Sequence, residues 1–295
     1  MEKQSKVGSG KVLDFFLPGM ISINGKTGLY PAVSITGKKC SLQCEHCHGS
    51  LLEPMYDGDT PEKLLNIIRA FEKDRMIGAL ITGGCDKDGR LPWSGFLPVL
   101  KDLKTKLFLS AHSGINVSKD LASGLRAAGI RQALIDVIGD EATAKEIYHI
   151  DNFKIVTKSI ENLYSFGPKV IPHLIVGVYK GRISGEYIAL DLIAGIDNSR
   201  IEIVVIMPKE LGVDPPEINE VIKVFEYARK KFKKVALGCA RPRGKYRFML
   251  EEKLIEAGLI DRLAIWSDRA ISIAKEKGYK VNFHYTCCSV DPNEV

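Results

Sequence analysis

Ala32-Val33-Ser34-Ile35-Thr36-Gly37-Lys38-Lys39 runs directly into Cys40-Ser41-Leu42-Gln43-Cys44-Glu45-His46-Cys47. The first five residues, rich in β-branched side chains, read as a buried strand. Three cysteines then follow at spacings of four and three. Three thiolates on a loop that leaves a strand can hold three irons of a cubane iron–sulfur cluster and leave the fourth iron open to a substrate or cosubstrate. A structural zinc knuckle is the competing reading, but such sites want four ligands in two paired halves. No second Cys-x-x-Cys occurs in the chain, and only His46 or His48 could complete a zinc site locally.

Outward from this stretch, short β-branched runs alternate with amphipathic helices. Strands are expected to begin near Ala32, Ile77, Leu107, Ile130, Val170, Ile201, Val235 and Leu263, with an extra one over Tyr279 to Tyr285. Thr60 is a helix cap with Pro61 in the first turn, followed by Leu64, Ile67, Ile68 and Phe71 on one face. Ser118 caps a second helix, carrying Leu121, Ala122 and Leu125 and ending at Gly129, and Pro215-Pro216 opens a third bearing Ile218, Val221, Ile222 and Phe225. Repeated βα units predict an α/β fold of the (β/α)8 TIM-barrel type, complete or slightly open. The 295 residues fit one domain, 1–295, with a short N-terminal extension and a C-terminal tail bearing cysteines. The run from Val12 to Met20 holds an acid, a proline and a glycine. It reads as packing at the barrel bottom or entrance, not as a signal peptide.

The 42 basic and 36 acidic residues give a net charge of +6, dispersed along the chain. That pattern does not point to nucleic acid and would suit anionic substrates or an acidic protein partner. No stretch approaches the length of a membrane span. Seven cysteines, an odd number with three in one cluster, argue for a reducing, cytoplasmic setting.

The Cys40, Cys44, Cys47 motif after a first barrel strand resembles that of the radical S-adenosylmethionine (SAM) superfamily. The resemblance implies a [4Fe–4S] cluster whose open iron binds SAM, reductive cleavage to a 5′-deoxyadenosyl radical, and His46 in the position where an aromatic ring packs near the adenine. Thr82-Gly83-Gly84-Cys85, ending the second strand, resembles the superfamily's GGE motif, whose glycines let backbone approach the SAM amino group. Asp136, ending the fourth strand, stands where a polar residue contacts the SAM ribose or methionine; capping the next helix is an equal alternative. The fifth-strand segment Pro172 to Gly177, with Val176, and Met207 after the sixth strand resemble adenine walls. His112, ending the third strand, is a candidate SAM or substrate contact; a satisfied core histidine is the more ordinary role.

Cys85, Cys239, Cys287 and Cys288 remain. A free cysteine alone is often a small buried hydrophobe. In a closed barrel, however, strands seven, eight, one and two are consecutive neighbours, so all four thiols could face the first cluster. A second, auxiliary iron–sulfur cluster of four irons is the economical reading, with Cys239 and one of the vicinal pair its safest ligands. Adjacent cysteines in extended chain point to opposite sides, so joint ligation by Cys287 and Cys288 needs a turn. Cys85 stands where the superfamily commonly has Glu and could belong to the SAM site.

Leu237-Gly238-Cys239-Ala240-Arg241 stands where biotin synthases carry an arginine that ligates their sulfur-donating cluster. Tyr30 to Gly37, Cys239-Ala240-Arg241-Pro242-Arg243-Gly244 and Cys287-Cys288 look most like the biotin-synthase-like components of the two-protein lipoyl synthase. That likeness implies sulfur insertion at an unactivated C–H of a protein-bound octanoyl chain, with the auxiliary cluster as sulfur donor. Arg241 or Arg243 would bind an anionic substrate portion or assist ligation, although a basic surface loop would look the same. Implied partners are an octanoyl-carrying lipoyl domain or H-protein-like carrier, the second radical SAM component, and a reductant such as ferredoxin. The alternatives are another radical SAM enzyme using its second cluster for electron transfer, and a non-enzymatic iron–sulfur or zinc protein.

Overall fold

Strands whose residues are buried on both faces need cover on both sides, and a parallel sheet wrapped by helices supplies it. The computed structural model describes residues 10–19, 21–206 and 212–295. Its main sheet has eleven strands: β1 (Val12–Phe16), β2 (Ala32–Ser34), β3 (Tyr56–Asp57), β4 (Gly78–Thr82), β5 (Phe108–His112), β6 (Gln132–Asp136), β7 (Lys169–Val176), β8 (Arg200–Val205), β9 (Lys234–Leu237), β10 (Arg262–Ala264) and β11 (Lys280–His284). The spatial order is β11-β1-β10-β9-β8-β7-β6-β5-β4-β2-β3, with every neighbouring pair parallel.

The eight expected strands and the extra ninth are present, and the sheet curls into an open TIM-like barrel. Two strands of this sheet, Val12–Phe16 and Tyr56–Asp57, were not expected. Val12–Phe16 is not entrance packing but a sheet strand inserted between β10 and β11, with Phe15 paired to both Leu263 and Phe283. The acid in that run, Asp14, accepts hydrogen bonds from Asn282 at 2.9 Å and His284 at 3.0 Å, so it fastens the edge strand instead of breaking β1. The sheet therefore does not close β10 onto β2. Its edges are β11 and β3, and the gap is stitched by the chain entering β2: Leu29 donates to the Tyr285 carbonyl at 2.7 Å while its own carbonyl accepts from Ile77 at 2.9 Å.

Helices form where caps and periodicity agree. Thr60 accepts from the Lys63 amide, opening Pro61–Lys73, which buries Leu64, Ile68 and Phe71; Ser118 caps Lys119–Ala127 in the same way. Between helices and sheet lies the main core, to which the strands contribute one phase of their pleat: Ala79, Ile81, Leu109, Ala111, Ala133, Ile135, Leu174, Val176, Ile201 and Ile203. The opposite phase adds buried polar residues, Ser110, Gln132, Arg200, Glu202 and Arg262, among apolar ones. It faces the lumen.

The lower lumen is filled by the chain's own end. After β11 the tail turns inward, and Arg262 donates to the Cys288 and Val290 carbonyls, each at 2.8 Å. Arg200 donates to the Ser289 carbonyl at 2.5 Å, and Gln132 to the Ser289 hydroxyl at 2.9 Å. Val290 packs with Tyr30 and Phe108. Because Gln132, Arg200 and Arg262 each begin a strand, the tail is a plug seated in the N-terminal end of the barrel. No helix among the described residues is long and apolar enough to cross a membrane.

Candidate active site

At the opposite, C-terminal end of the strands, the loop after β2 is held against the loop after β4. Ser41 and Leu42 donate their amides to the Cys85 carbonyl at 2.8 and 3.1 Å, and the Gly84 amide donates to Thr36 Oγ1 at 2.7 Å. A side chain at Gly84 would put its first carbon 2.1 Å from the Lys39 carbonyl oxygen and 2.5 Å from Cys40 Cα. Gly84 is thus required for two backbones to touch. Within the cysteine loop, Gln43 takes a positive φ of 51° and its side-chain Nε2 donates to the Cys40 carbonyl, while the Cys47 and His48 backbone amides donate to the Cys44 carbonyl. The loop turns tightly, and all three cysteines line one pocket.

That pocket is also lined by His46, Thr82, Gly83, Gly84, Cys85, His112, Asp136 and Tyr148. Burial, followed by the negative charge that neighbouring thiols would carry, pushes the Cys44 thiol far above its ordinary range. Burial and Cys40 push Cys85 up to about 12. Thiols so placed ionise together only when a cation supplies the missing charge, and a thiolate-bound iron cluster meets that condition. The His46 ring lies 4.9 Å from that of Tyr148 and its Nδ1 has no hydrogen-bond partner. Burial, with His48 nearby, lowers it to about 4, so it is a neutral flat ring at pH 7. Burial raises the Asp136 carboxyl, opposed by the charge of His173 and a hydrogen bond from Tyr148. Burial and then His173 bring His112 down to about 3.

Deeper in the lumen is a second group. Cys288 Sγ donates to Glu202 Oε1 at 2.8 Å, and His173 Nε2 stands 3.3 Å from the same oxygen. Ligand atoms of Glu202, Cys287 and Cys288 all lie within 4.8 Å of one another. The turn that joint ligation requires is present, closed by the Val290 amide donating to the Cys287 carbonyl at 3.0 Å. Cys239, just beyond β9, keeps surface open to solvent and senses the charges of Cys287 and Glu202, but stands outside the tight trio. The four later cysteines therefore do not form one set facing the first three. Cys85 sits with Cys40, and the tail carries Cys287 and Cys288 to the centre of the barrel.

Two other expectations change, and a third falls outside the described residues. Val176 belongs to the core between sheet and helices; with His173 facing the lumen, the pleat turns Ile175, not Val176, to the same side. Met207 lies outside the described residues. Arg241, 1% exposed, donates to Glu251 Oε1 at 2.6 and 3.2 Å and to the carbonyls of Gly238, Ala264 and Ile265 at 2.6, 2.8 and 3.0 Å. Its guanidinium is consumed in joining β9, β10 and the helix Lys245–Glu256. It ties the barrel wall together, with Nε, Nη1 and Nη2 each already donating to a group of that wall. Sequence reasoning missed Tyr148, His173 and Glu202. The last two were detectable as polar residues in the lumen phase of otherwise apolar strands; Tyr148 lies in a connection that no periodicity marks.

No protein-family model and no curated protein sequence matches this chain. Solved structures do. Methylornithine synthase (PylB) aligns with a TM-score of 0.55 at 14% identity, covering 92% of this chain and 84% of that one. Streptococcus suis SuiB bound to S-adenosylmethionine aligns at 0.54 and 13% identity, covering 76% of this chain and 52% of SuiB. The Bacillus subtilis HMG-CoA lyase aligns at 0.51 and 9% identity, covering 94% of this chain and 90% of the lyase. At these identities the likeness is one of fold, and barrels of different chemistry share it.

Proposed function

We propose that the protein is a radical SAM enzyme. One observation carries this reading: Cys40, Cys44 and Cys47 converge on the wall of a pocket at the C-terminal end of the barrel, with Gly83, Gly84, His46 and Asp136 around them. Those three thiolates would hold a [4Fe–4S] cluster, which when loaded supplies an open iron for SAM and the electron that cleaves it. The chain's own contributions follow from position. His46 and Tyr148 offer flat apolar surface for a purine; Asp136 offers a carboxylate to a hydroxyl or ammonium group; the buried walls keep water from a carbon radical. SuiB bound to S-adenosylmethionine, on the same fold, supports the choice of cosubstrate.

The finer reading is sulfur insertion at an unactivated C–H of an octanoyl chain on a lipoyl domain or H-protein-like carrier, together with a second radical SAM component and a reductant such as ferredoxin. Its support is a second thiol group, Cys287 and Cys288 with Cys239 nearby, along the same lumen as the SAM pocket. An auxiliary iron–sulfur cluster there would donate sulfide. Another radical SAM reaction, with that centre used for electron transfer, is the competing reading, favoured by the commitment of the buried Arg241 to Glu251 and three carbonyls of the barrel wall.

The test is anaerobic reconstitution followed by incubation with reductant, SAM and an octanoyl-lipoyl-domain peptide or its monothiolated form. Formation of 5′-deoxyadenosine with a mass gain of sulfur on the peptide is the expected result. SAM cleavage without sulfur gain would remove the sulfur-insertion reading and keep the radical SAM one. No SAM cleavage under any condition would remove both.

A further inference from the structure

Glu202 is a deeply buried acid that the SAM chemistry leaves unused. It sits mid-strand on β8, 2% exposed, with Cys288 at 1% beside it. Its Oε1 takes both nearby donors, His173 Nε2 and Cys288 Sγ, while its Oε2 has no hydrogen-bond partner. A buried carboxylate oxygen with nothing to bind is costly, and native structures keep such an atom where something else completes it.

What could complete it is set by the neighbours. Two sulfurs and a carboxylate oxygen gathered within 4.8 Å are donors that one transition-metal centre bridges, with borderline or soft ions such as zinc and ferrous iron preferred. Among the described residues this is the one trio of His, Cys, Asp or Glu that meets that spacing; Cys40, Cys44 and Cys47 stand further apart. The trio is also held in place from behind. Arg262 and Arg200 fix the carbonyls of Cys288, Ser289 and Val290, so the turn bearing both thiols is built before any metal arrives.

We propose that Glu202 is the third protein ligand, with Cys287 and Cys288, of a metal centre in the lumen. The inference rests on the reading that the lumen holds a metal at all and assigns it a mixed sulfur and oxygen ligand set. The shared chemistry is iron or zinc bound through two thiolates and one carboxylate, either on a single ion or shared among the irons of one iron–sulfur cluster.

The experiment uses the full chain carrying Cys40→Ala, Cys44→Ala and Cys47→Ala, which leaves only the luminal centre to load. It is reconstituted anaerobically with 57Fe(II) and sulfide, or with Zn(II) alone, and metal and sulfide per chain, retention against a chelator and the Mössbauer spectrum are measured. Adding Glu202→Ala should weaken metal retention by at least about tenfold. Adding Glu202→Cys instead should restore retention and move one iron's spectrum to all-sulfur ligation, which separates lost ligation from lost folding. Unchanged retention and spectrum in Glu202→Ala overturns the proposal while leaving a thiolate-only cluster standing. Metal without sulfide supports Glu202 as ligand and removes the cluster as sulfur donor. No metal in a folded triple variant overturns both.

Discussion

The two thiol groups of this barrel reach their places by opposite routes. Cys40, Cys44 and Cys47 lie within eight consecutive residues, and their loop is shaped by neighbours such as Gln43 and by one facing glycine, Gly84. Cys287 and Cys288 meet Glu202, a residue some 85 positions away, only because the tail is threaded back into the barrel and clamped by arginines from two different strands. The first group is a property of a motif, and the second is a property of the whole fold. Damage to local spacing should therefore harm the first alone, whereas loss of global stability should reach the second first.

The largest expected effect is on chemistry. Replacing Cys40, Cys44 and Cys47 together by Ala should abolish reductive formation of 5′-deoxyadenosine, measured by chromatography after anaerobic reconstitution, with the melting transition kept. Retained cleavage in that variant would break the comparison at its better-defined end.

Next in size is Arg241→Met, which strands Glu251 in the core with one of its two arginines gone. Removing one partner of a buried pair typically costs about 3–5 kcal/mol; denaturant melts should register it. Product formed per folded molecule should hold, since Arg241 spends its donors on Glu251 and three carbonyls. A full loss of turnover with unchanged stability would return Arg241 to the reaction.

Arg262→Met is smaller in energy and more selective. It strips two charged hydrogen bonds from the tail carbonyls, a loss of about 3 kcal/mol at the lower end of their range, and should release luminal metal while the Cys40, Cys44, Cys47 centre keeps its iron. Equal loss from both centres would show that the tail is not a separate unit.

How much of this was readable beforehand follows the same division. The cysteine loop, the glycine pair and the order of βα units are carried by short-range spacing and period, and their fold came out as expected. The Arg241 role was misread because residue type and strand-end position were visible but Glu251, which claims the side chain, was not: a helix residue ten positions later has no sequence mark as an ion-pair partner. Val176 was misread by a single pleat phase. Glu202 went unseen because its three contacts come from β7 and the tail, and only the curled sheet with the tail folded into it brings them together. The β1 strand was hidden by Asp14, whose acid looks like a strand breaker until Asn282 and His284 are placed beside it.

The smallest expected effect concerns that same acid. Burial would raise the Asp14 carboxyl, but hydrogen bonds from His284 and Asn282 outweigh it and leave it below its ordinary value. An acid held low in the folded state stabilises above its unfolded pKa, and that contribution fades as pH falls through the folded value. Asp14→Asn should thus cost about 1 kcal/mol near neutrality and progressively less below about pH 4. A difference that grew in acid would contradict the sign.

The most direct measurement is metal content in paired variants: iron and sulfide per chain in the wild type, in the Cys40, Cys44, Cys47 triple alanine variant and in the Cys287, Cys288 double alanine variant, all reconstituted alike. Two independent centres predict that each variant loses one share and keeps the other, the shares adding up to the wild-type content, and that only the double variant still cleaves SAM. If either variant loses all its iron while remaining folded, or if the double variant matches the wild type, the barrel does not hold two separate centres.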